Sequence, residues 1–291
     1  MHYFIIINPI SGIKHHKGDL ELLIRNVLSR KKDAKVEVQY TKYAGHAREL
    51  AQQAVRDKAD IAVAVGGDGT MNEVAGGLVG TQTALGLIPM GSGNGFARSM
   101  GIPLKPVAAV KRLLNPDIKV NDVGQIGDFY FFGVAGVGFD AQIGAMFQDF
   151  GMRGPLPYFY IGFKEYFKYD YEEFELHFNG QQIRVRPLLI TVANTPQYGN
   201  SAIIAPHARP DDGQFELCII DKVPFWEGVT HLHYLFTGKI DRTSVYRSYP
   251  IKQVTIVRTK QNGFLHTDGE PHHSDQKLEI KILEKALKVC V

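Results

Sequence analysis

Cysteine is scarce in this chain: Cys218 and Cys290 are the only two among 291 residues. Two thiols cannot frame a small fold with disulfides, and they fit a reducing compartment, so a cytoplasmic location is expected. Charge of one sign is also missing. Thirty-three Lys and Arg against 30 Asp and Glu leave +3, too little for a nucleic-acid footprint, and no nucleic-acid partner is expected. No apolar run nears the ~20 residues of a membrane-spanning helix. The stretch Tyr3-Phe4-Ile5-Ile6-Ile7 follows no basic lead and ends at Asn8, so it reads as a strand and not as a signal peptide. A membrane-held substrate would therefore be met from the water side, by peripheral contact. With 44% hydrophobic and 22% charged residues, disorder, collagen and coiled coil are excluded.

Glycine is what the chain has in excess. There are 30, eleven of them between Gly66 and Gly101 and eight between Gly124 and Gly154. Such clustering marks close approach of backbone to a ligand, or frequent turns.

The length suits two domains. In the first hundred residues, strand-like runs (Tyr3 to Asn8, Val36 to Tyr40, Ile61 to Val65, Leu85 to Ile88) alternate with helix-like ones (Gly18 to Arg30, Ala44 to Lys58, Thr70 to Leu78). Repeated βα units with buried strands predict a parallel sheet covered on both faces, a Rossmann-like three-layer α/β domain over 1–121. Beyond it, Asp128 to Val137, Phe174 to Phe178, Ile183 to Val192, Phe215 to Ile220, Val254 to Val257 and Leu278 to Ile282 read as strands. Turn signals such as Asn179-Gly180 and Asp212-Gly213 separate several of them. Helical stretches are expected near Phe159 to Lys168 and Phe225 to Phe236. The second domain, 122–283, is expected to be a mostly antiparallel β-sandwich, with the tail of about 284–291 packing back on the first. Edge strands of such a domain offer a route to a homodimer.

Gly66-Gly67-Asp68-Gly69-Thr70 follows the strand Ile61 to Val65 and opens a helix containing Asn72 and Glu73. Glycines at a strand-to-helix turn let backbone N–H groups approach phosphate oxygens, and the helix N-terminus favours the anion. Asp68 would repel phosphate unless a cation lay between them, and Mg²⁺ is the natural one. A plain glycine turn with Asp68 as helix cap is the alternative. A second loop, Met90-Gly91-Ser92-Gly93-Asn94-Gly95, follows the next strand, and Asn8-Pro9-Ile10-Ser11-Gly12 leaves the first. Ligands bind parallel sheets at the carboxyl ends of their strands, and three such loops on one edge are hard to explain as turns alone. No G-x-x-x-x-G-K-[ST] or G-x-S-x-G occurs, which removes Walker-type NTPases and hydrolase elbows. Asp149-Phe150-Gly151 lacks the H-R-D loop of a protein kinase, and His15-His16 and His272-His273 lack metal spacing.

Gly66 to Thr70 together with Asn8 to Gly12 resembles the diacylglycerol kinase catalytic superfamily, which includes bacterial soluble lipid kinases, sphingosine kinases and ceramide kinases. The resemblance runs along the chain through Thr41, Asp122, Gly136-Val137-Gly138-Phe139-Asp140, Asp211-Asp212-Gly213 and Asp268-Gly269-Glu270. It implies that Asn8, Ser11, Gly12, Thr41, Gly66, Gly67, Asp68, Gly69, Thr70, Asn72, Glu73, Gly91, Ser92, Gly93 and Asn94 form the ATP-binding set. Asp68 would act through Mg²⁺, with Asp122 a second acidic position near that metal. Arg209, Asp212 and Gln214 resemble a structural Mg²⁺ site, for which a plain hairpin turn is the alternative. Asp268-Gly269-Glu270 is similar to the family's base motif, with Glu270 favoured over Asp268 and the proton transfer expected across an interdomain cleft. Many bacterial diacylglycerol kinases carry Asp where this chain has Gly95, and the loop looks more like that of sphingosine kinases.

The implied activity is transfer of the ATP γ-phosphoryl group to a lipid hydroxyl, of diacylglycerol or a sphingoid long-chain base. NAD kinases share the G-G-D-G-T loop and give the alternative enzyme; a non-catalytic lipid- or nucleotide-binding regulator is the alternative of another class. Eight aromatics lie between Tyr158 and Tyr171, and Phe225-Trp226 opens the later helix. These suit either a membrane surface or the core.

Overall fold

The computed structural model describes residues 1–11, 17–149, 162–199 and 201–291. The chain divides into two compact units, Met1–Asp122 with Glu284–Val291, and Val123–Leu283.

The first unit is built of βα repeats: β1 (His2–Ile7), α1 (Lys17–Leu28), β2 (Lys35–Tyr40), α2 (His46–Arg56), β3 (Ile61–Gly66), α3 (Asp68–Leu78) and β4 (Ala84–Pro89), followed by the short helices α4 (Gly95–Ser99) and α5 (Pro106–Arg112). The strands lie parallel in the order β2-β1-β3-β4. Every residue of β3 and β4 is buried, as expected of strands covered on both faces. One core gathers Tyr3, Ile5, Val63 and Ile88 against Ile24 and Leu28 of α1 and Val110 of α5. The C-terminal residues add a strand beside β4, with Val289 opposite Leu85.

The second unit carries β5 (Ile118–Ile126, which begins in the first unit), β6 (Phe129–Phe131), β7 (Val134–Gly138), α6 (Phe139–Asp149), β8 (Phe174–Phe178), β9 (Gln181–Val185), β10 (Pro187–Ala193), β11 (Gln197–Gly199), β12 (Ala202–Ile203), β13 (Phe215–Asp221), α7 (Phe225–Thr237), β14 (Tyr246–Ile251), β15 (Gln253–Arg258), β16 (Gly263–Thr267), β17 (Glu270–Ser274) and β18 (Lys277–Cys290, whose end belongs to the first unit). An antiparallel sheet in the order β14-β13-β10-β7-β16-β17 supplies Val137, Ile190 and Leu217 to a shared core. The facing layer, β9-β8-β15 with the first half of β18, supplies Leu176, Ile256 and Leu278. The result is a sandwich of two antiparallel layers.

Two expected strands are each split. Asp128 to Val137 breaks at Phe132-Gly133, whose amides bond a carboxylate and not a neighbouring strand. Ile183 to Val192 breaks at Arg186, whose guanidinium donates to the carbonyl of Tyr171. Helix α6 and strands β14, β16 and β17 were not anticipated. The expected helix near Phe159 to Lys168 lies partly outside the described residues; 162–166 are helical.

Candidate functional site

In the first unit, the ends of β1, β3 and β4 bring three loops together. Asn8 ties two of them: its amide nitrogen donates to Thr70 Oγ1 at 2.9 Å, and its backbone N–H to the carbonyl of Val65 at 3.0 Å. Its Oδ1 accepts from Ile10, and Ser11 N–H donates back to the Asn8 carbonyl. Gly12 lies outside the described residues. Thr41 hangs from the Ile7 carbonyl at 2.9 Å.

Gly67 and Gly91 hold the β3 and β4 loops in backbone contact. A Cβ on Gly91 would stand 2.7 Å from Gly67 Cα, so a side chain there would force the loops apart. Asn94 adopts the left-handed conformation (φ 50°) and closes the second loop on itself. Its Oδ1 accepts from Gly91 N–H at 3.0 Å and its Nδ2 donates to the Gly91 carbonyl at 2.7 Å. Arg98 Nε donates to the Gly93 carbonyl, while Ser92 stays exposed.

Asp68 joins the two loops: its Oδ2 accepts from Asn94 N–H at 2.7 Å. Burial holds its carboxyl above the ordinary carboxylate range, against the opposing pull of the Asn94, Gly95 and Phe96 amides. Gly69 and Asn72 follow on α3, where a Cβ on Gly69 would meet open space. Glu73 reaches the neighbouring loop. Its two oxygens accept from Gly45 N–H at 2.9 Å and Ala47 N–H at 3.0 Å, capping the start of α2 and fixing the loop that follows Thr41. Asp122 is 2% exposed, and its Oδ1 accepts from Lys285 N–H at 2.7 Å, which fastens the C-terminal tail.

In the second unit, Asp268 and Gly269 form a two-residue hairpin between β16 and β17, both with positive φ (51° and 86°), and Thr267 faces Glu270 across it. That geometry is the type I′ turn, for which Asp-Gly is a favoured pair. The Asp268 carboxylate turns inward: Oδ1 accepts from Gly133 N–H at 2.7 Å and Val134 N–H at 2.9 Å, Oδ2 from Phe132 N–H at 2.8 Å. Glu270, next along, is exposed. Below the turn, His266 Nε2 lies 2.8 Å from Asp140 Oδ2 and 3.0 Å from Tyr198 Oη, and Tyr198 also donates to Asp140. His266 and Asp140 are both buried, and Gly269 N–H points at His266 Nδ1 at 3.4 Å. This polar cluster went unread in sequence. Asp140 closes the Gly136 to Asp140 motif, and His266 stands two residues before Asp268, but neither signal tells that the two meet or that Tyr198 joins them. Nearby, His272 Nε2 meets Thr267 Oγ1 at 2.8 Å, and burial lowers its pKa.

Asp212 accepts from Gln214 N–H within its own loop at 3.1 Å, and Arg209 is exposed. That hydrogen bond closes a local Asx-type turn in the loop from β12 to β13, two strands that do not pair with each other. Among the described residues, no group of three or more His, Cys, Asp or Glu is placed to hold a metal.

The comparisons with known proteins cover both units. Residues 2–126 match the diacylglycerol kinase catalytic domain, and residues 133–291 match the YegS C-terminal NAD kinase beta sandwich-like domain. The chain is 32% identical over 278 residues to the diacylglycerol kinase of Bacillus subtilis, spanning 91% of this chain and 88% of the relative. It is 31% identical over 265 residues to the "Probable lipid kinase YegS-like" of Pseudomonas putida, spanning 89% and 87%. A diacylglycerol kinase crystal structure from Bacillus anthracis shares the fold, with TM-score 0.74 at 20% identity over 99% of this chain and 96% of that one. With both domains matched in order and close relatives aligned nearly end to end, the chain belongs to the diacylglycerol kinase and YegS-like lipid kinase family and is a lipid kinase.

Proposed function

We propose that the chain transfers the γ-phosphoryl group of ATP, with Mg²⁺, to the hydroxyl of a membrane lipid. Diacylglycerol, named for the Bacillus subtilis relative, and a sphingoid long-chain base are the candidate acceptors. The observation that carries this is the contact of Gly67 with Gly91 beside the half-buried Asp68. Two glycine loops at strand ends offer backbone donors to phosphate, and the helix α3 N-terminus favours its charge.

The residues fit Mg²⁺ bound with nucleotide. Mg²⁺ usually takes one or two carboxylates and completes its shell with phosphate and water, and Asp68 is a desolvated carboxylate inside the cradle. Bound there, the ion would neutralise phosphate charge. Asp122, whose Oδ1 accepts from Lys285 N–H, is the second candidate carboxylate.

The acceptor's oxygen forms a bond to γ-phosphorus as the bond from that phosphorus to the β-bridging oxygen breaks. ADP leaves, and the hydroxyl proton passes to a carboxylate. Glu270 takes that role, because three main-chain amides already engage Asp268 and fix the turn that presents Glu270. The lipid is reached by peripheral contact, from the cytoplasmic side; no described helix is long and apolar enough to cross a membrane. A homodimer, if formed, would use the sheet edges at β14 or β17.

The test is a labelled-ATP assay on separate vesicles of diacylglycerol, sphingosine, ceramide and phosphatidylglycerol, with NAD as a soluble acceptor, each with and without EDTA. Labelled lipid that vanishes with EDTA is expected. Labelled NAD, or lipid label indifferent to EDTA, would overturn the assignment.

A further inference from the structure

Helix α7 is rich in apolar residues, yet none of its residues is buried. Trp226 is 78% exposed, Phe236 47% and Val229 43%. The three recur at spacings of three and seven residues, so they share one face, which looks to solvent. Beside the start of this helix stands the short helical turn 162–166. Phe163 (55% exposed) and Phe167 (65%) lie one turn apart there, outside any core. Their rings sit 5.2 and 5.0 Å from that of Phe225, and Phe225 sits 5.3 Å from Trp226. The exposed rings therefore form one continuous aromatic surface within the second unit.

Contiguous apolar surface of this kind marks an interaction site. Its surroundings indicate which. Lys164, Lys168 and Lys239 stand exposed along these segments with Glu227 and the half-buried Glu165, Lys222 lies over the Tyr171 ring, and the flanking Asp170 and Asp221 are paired with Lys260 and Arg247. Lysines are depleted at the core of protein interfaces. Around exposed Trp and Phe they are the composition of a membrane-surface element, with rings at headgroup depth and ammonium groups reaching anionic lipid.

We propose that α7 and the 162–167 turn form the membrane-docking face, which places Trp226, Phe163 and Phe167 in the headgroup region of a bilayer containing anionic phospholipid. The choice of occupant rests on the lipid-acceptor function proposed above. The docking itself is measurable without catalysis.

Trp226 is the only tryptophan, so the intrinsic emission of the full chain reports this position alone. Vesicles of phosphatidylcholine with phosphatidylglycerol, added without ATP, should shift the emission to the blue and allow quenching by brominated acyl chains. Phosphatidylcholine alone should do so weakly, and added salt should reverse the effect. The double variant Phe163→Ser with Phe167→Ser should lose at least about tenfold in vesicle partitioning, or ~1.4 kcal/mol, with an unchanged melting temperature. It should lose lipid phosphorylation on vesicles while keeping turnover of a water-soluble short-chain diacylglycerol within about twofold. Vesicle binding with unshifted, unquenched Trp226 would overturn the proposal. So would no binding at all, or concentration-dependent self-association abolished by the double variant, which would make the face a contact between copies. Docking intact with no labelled lipid would instead overturn the acceptor assignment and leave the docking face standing.

Discussion

The division of labour within Asp268-Gly269-Glu270 gives the sharpest prediction. Asp268 accepts from the amides of Phe132, Gly133 and Val134, and Phe132 and Val134 are at most 3% exposed. Asp268→Ala leaves three enclosed donors without that carboxylate. At about 1–3 kcal/mol for each unsatisfied group, combined less than additively, the expected loss is about 3–5 kcal/mol. At roughly 2–4 °C per kcal/mol for a domain of this size, the melting temperature of the second unit should fall by about 6–20 °C. Asp268→Asn keeps one acceptor oxygen, enough for the Gly133 and Val134 amides, but sets its NH₂ against Phe132 N–H, so about half of that loss is expected. Glu270→Gln, at an exposed position, should leave the melting temperature within ~1 °C while turnover falls about 10²–10⁴-fold, the usual worth of a general base. Calorimetry and a labelled-ATP assay on the same three variants check both arms. If Asp268→Asn melts like the parent but is dead, while Glu270→Gln keeps its turnover, the roles are reversed and Asp268 is the base.

Three further outcomes follow from the geometry. Gly91→Ala pushes a methyl onto Gly67 Cα; it should raise the KM for ATP at least about tenfold and cost about 1–3 kcal/mol of stability, read by kinetics and denaturant melts. Burial raises the Asp68 pKa, so without nucleotide the folded state binds that proton more tightly than the unfolded chain, and stability falls as pH climbs from the ordinary carboxylate value through the raised one. Asp68→Asn should flatten that slope and melt no lower than the parent at pH 7, yet lose about 10²-fold or more in turnover; a melting temperature well below the parent would show that the hydrogen bonds outweigh desolvation. The Asp140–His266 contact should give a coupling of about 1–3 kcal/mol in a double-mutant cycle of Asp140→Asn and His266→Gln, and additive effects would show that the two act independently.

The βα repeats and the places where they open are written in the chain. β-branched runs, helical spacing and glycines at strand ends are local signals, and Gly66 to Thr70 announces its turn because the backbone there demands glycine whatever lies elsewhere. The lipid-kinase family was legible in the same way, from short motifs in order. Where polar groups find their partners is settled only by folding. Asp268 breaks an expected strand at Phe132-Gly133, 135 residues earlier in the chain. Glu73 caps α2 from 26 residues away, and Asp122 fastens the C-terminal tail through Lys285. Phe163 and Phe167 share a helical face whether that face is core or surface, and only packing shows them exposed. Periodicity states which residues lie together on an element. Which carboxylate is enclosed, which amide it must satisfy and which apolar face remains uncovered depend on segments brought together from across the chain.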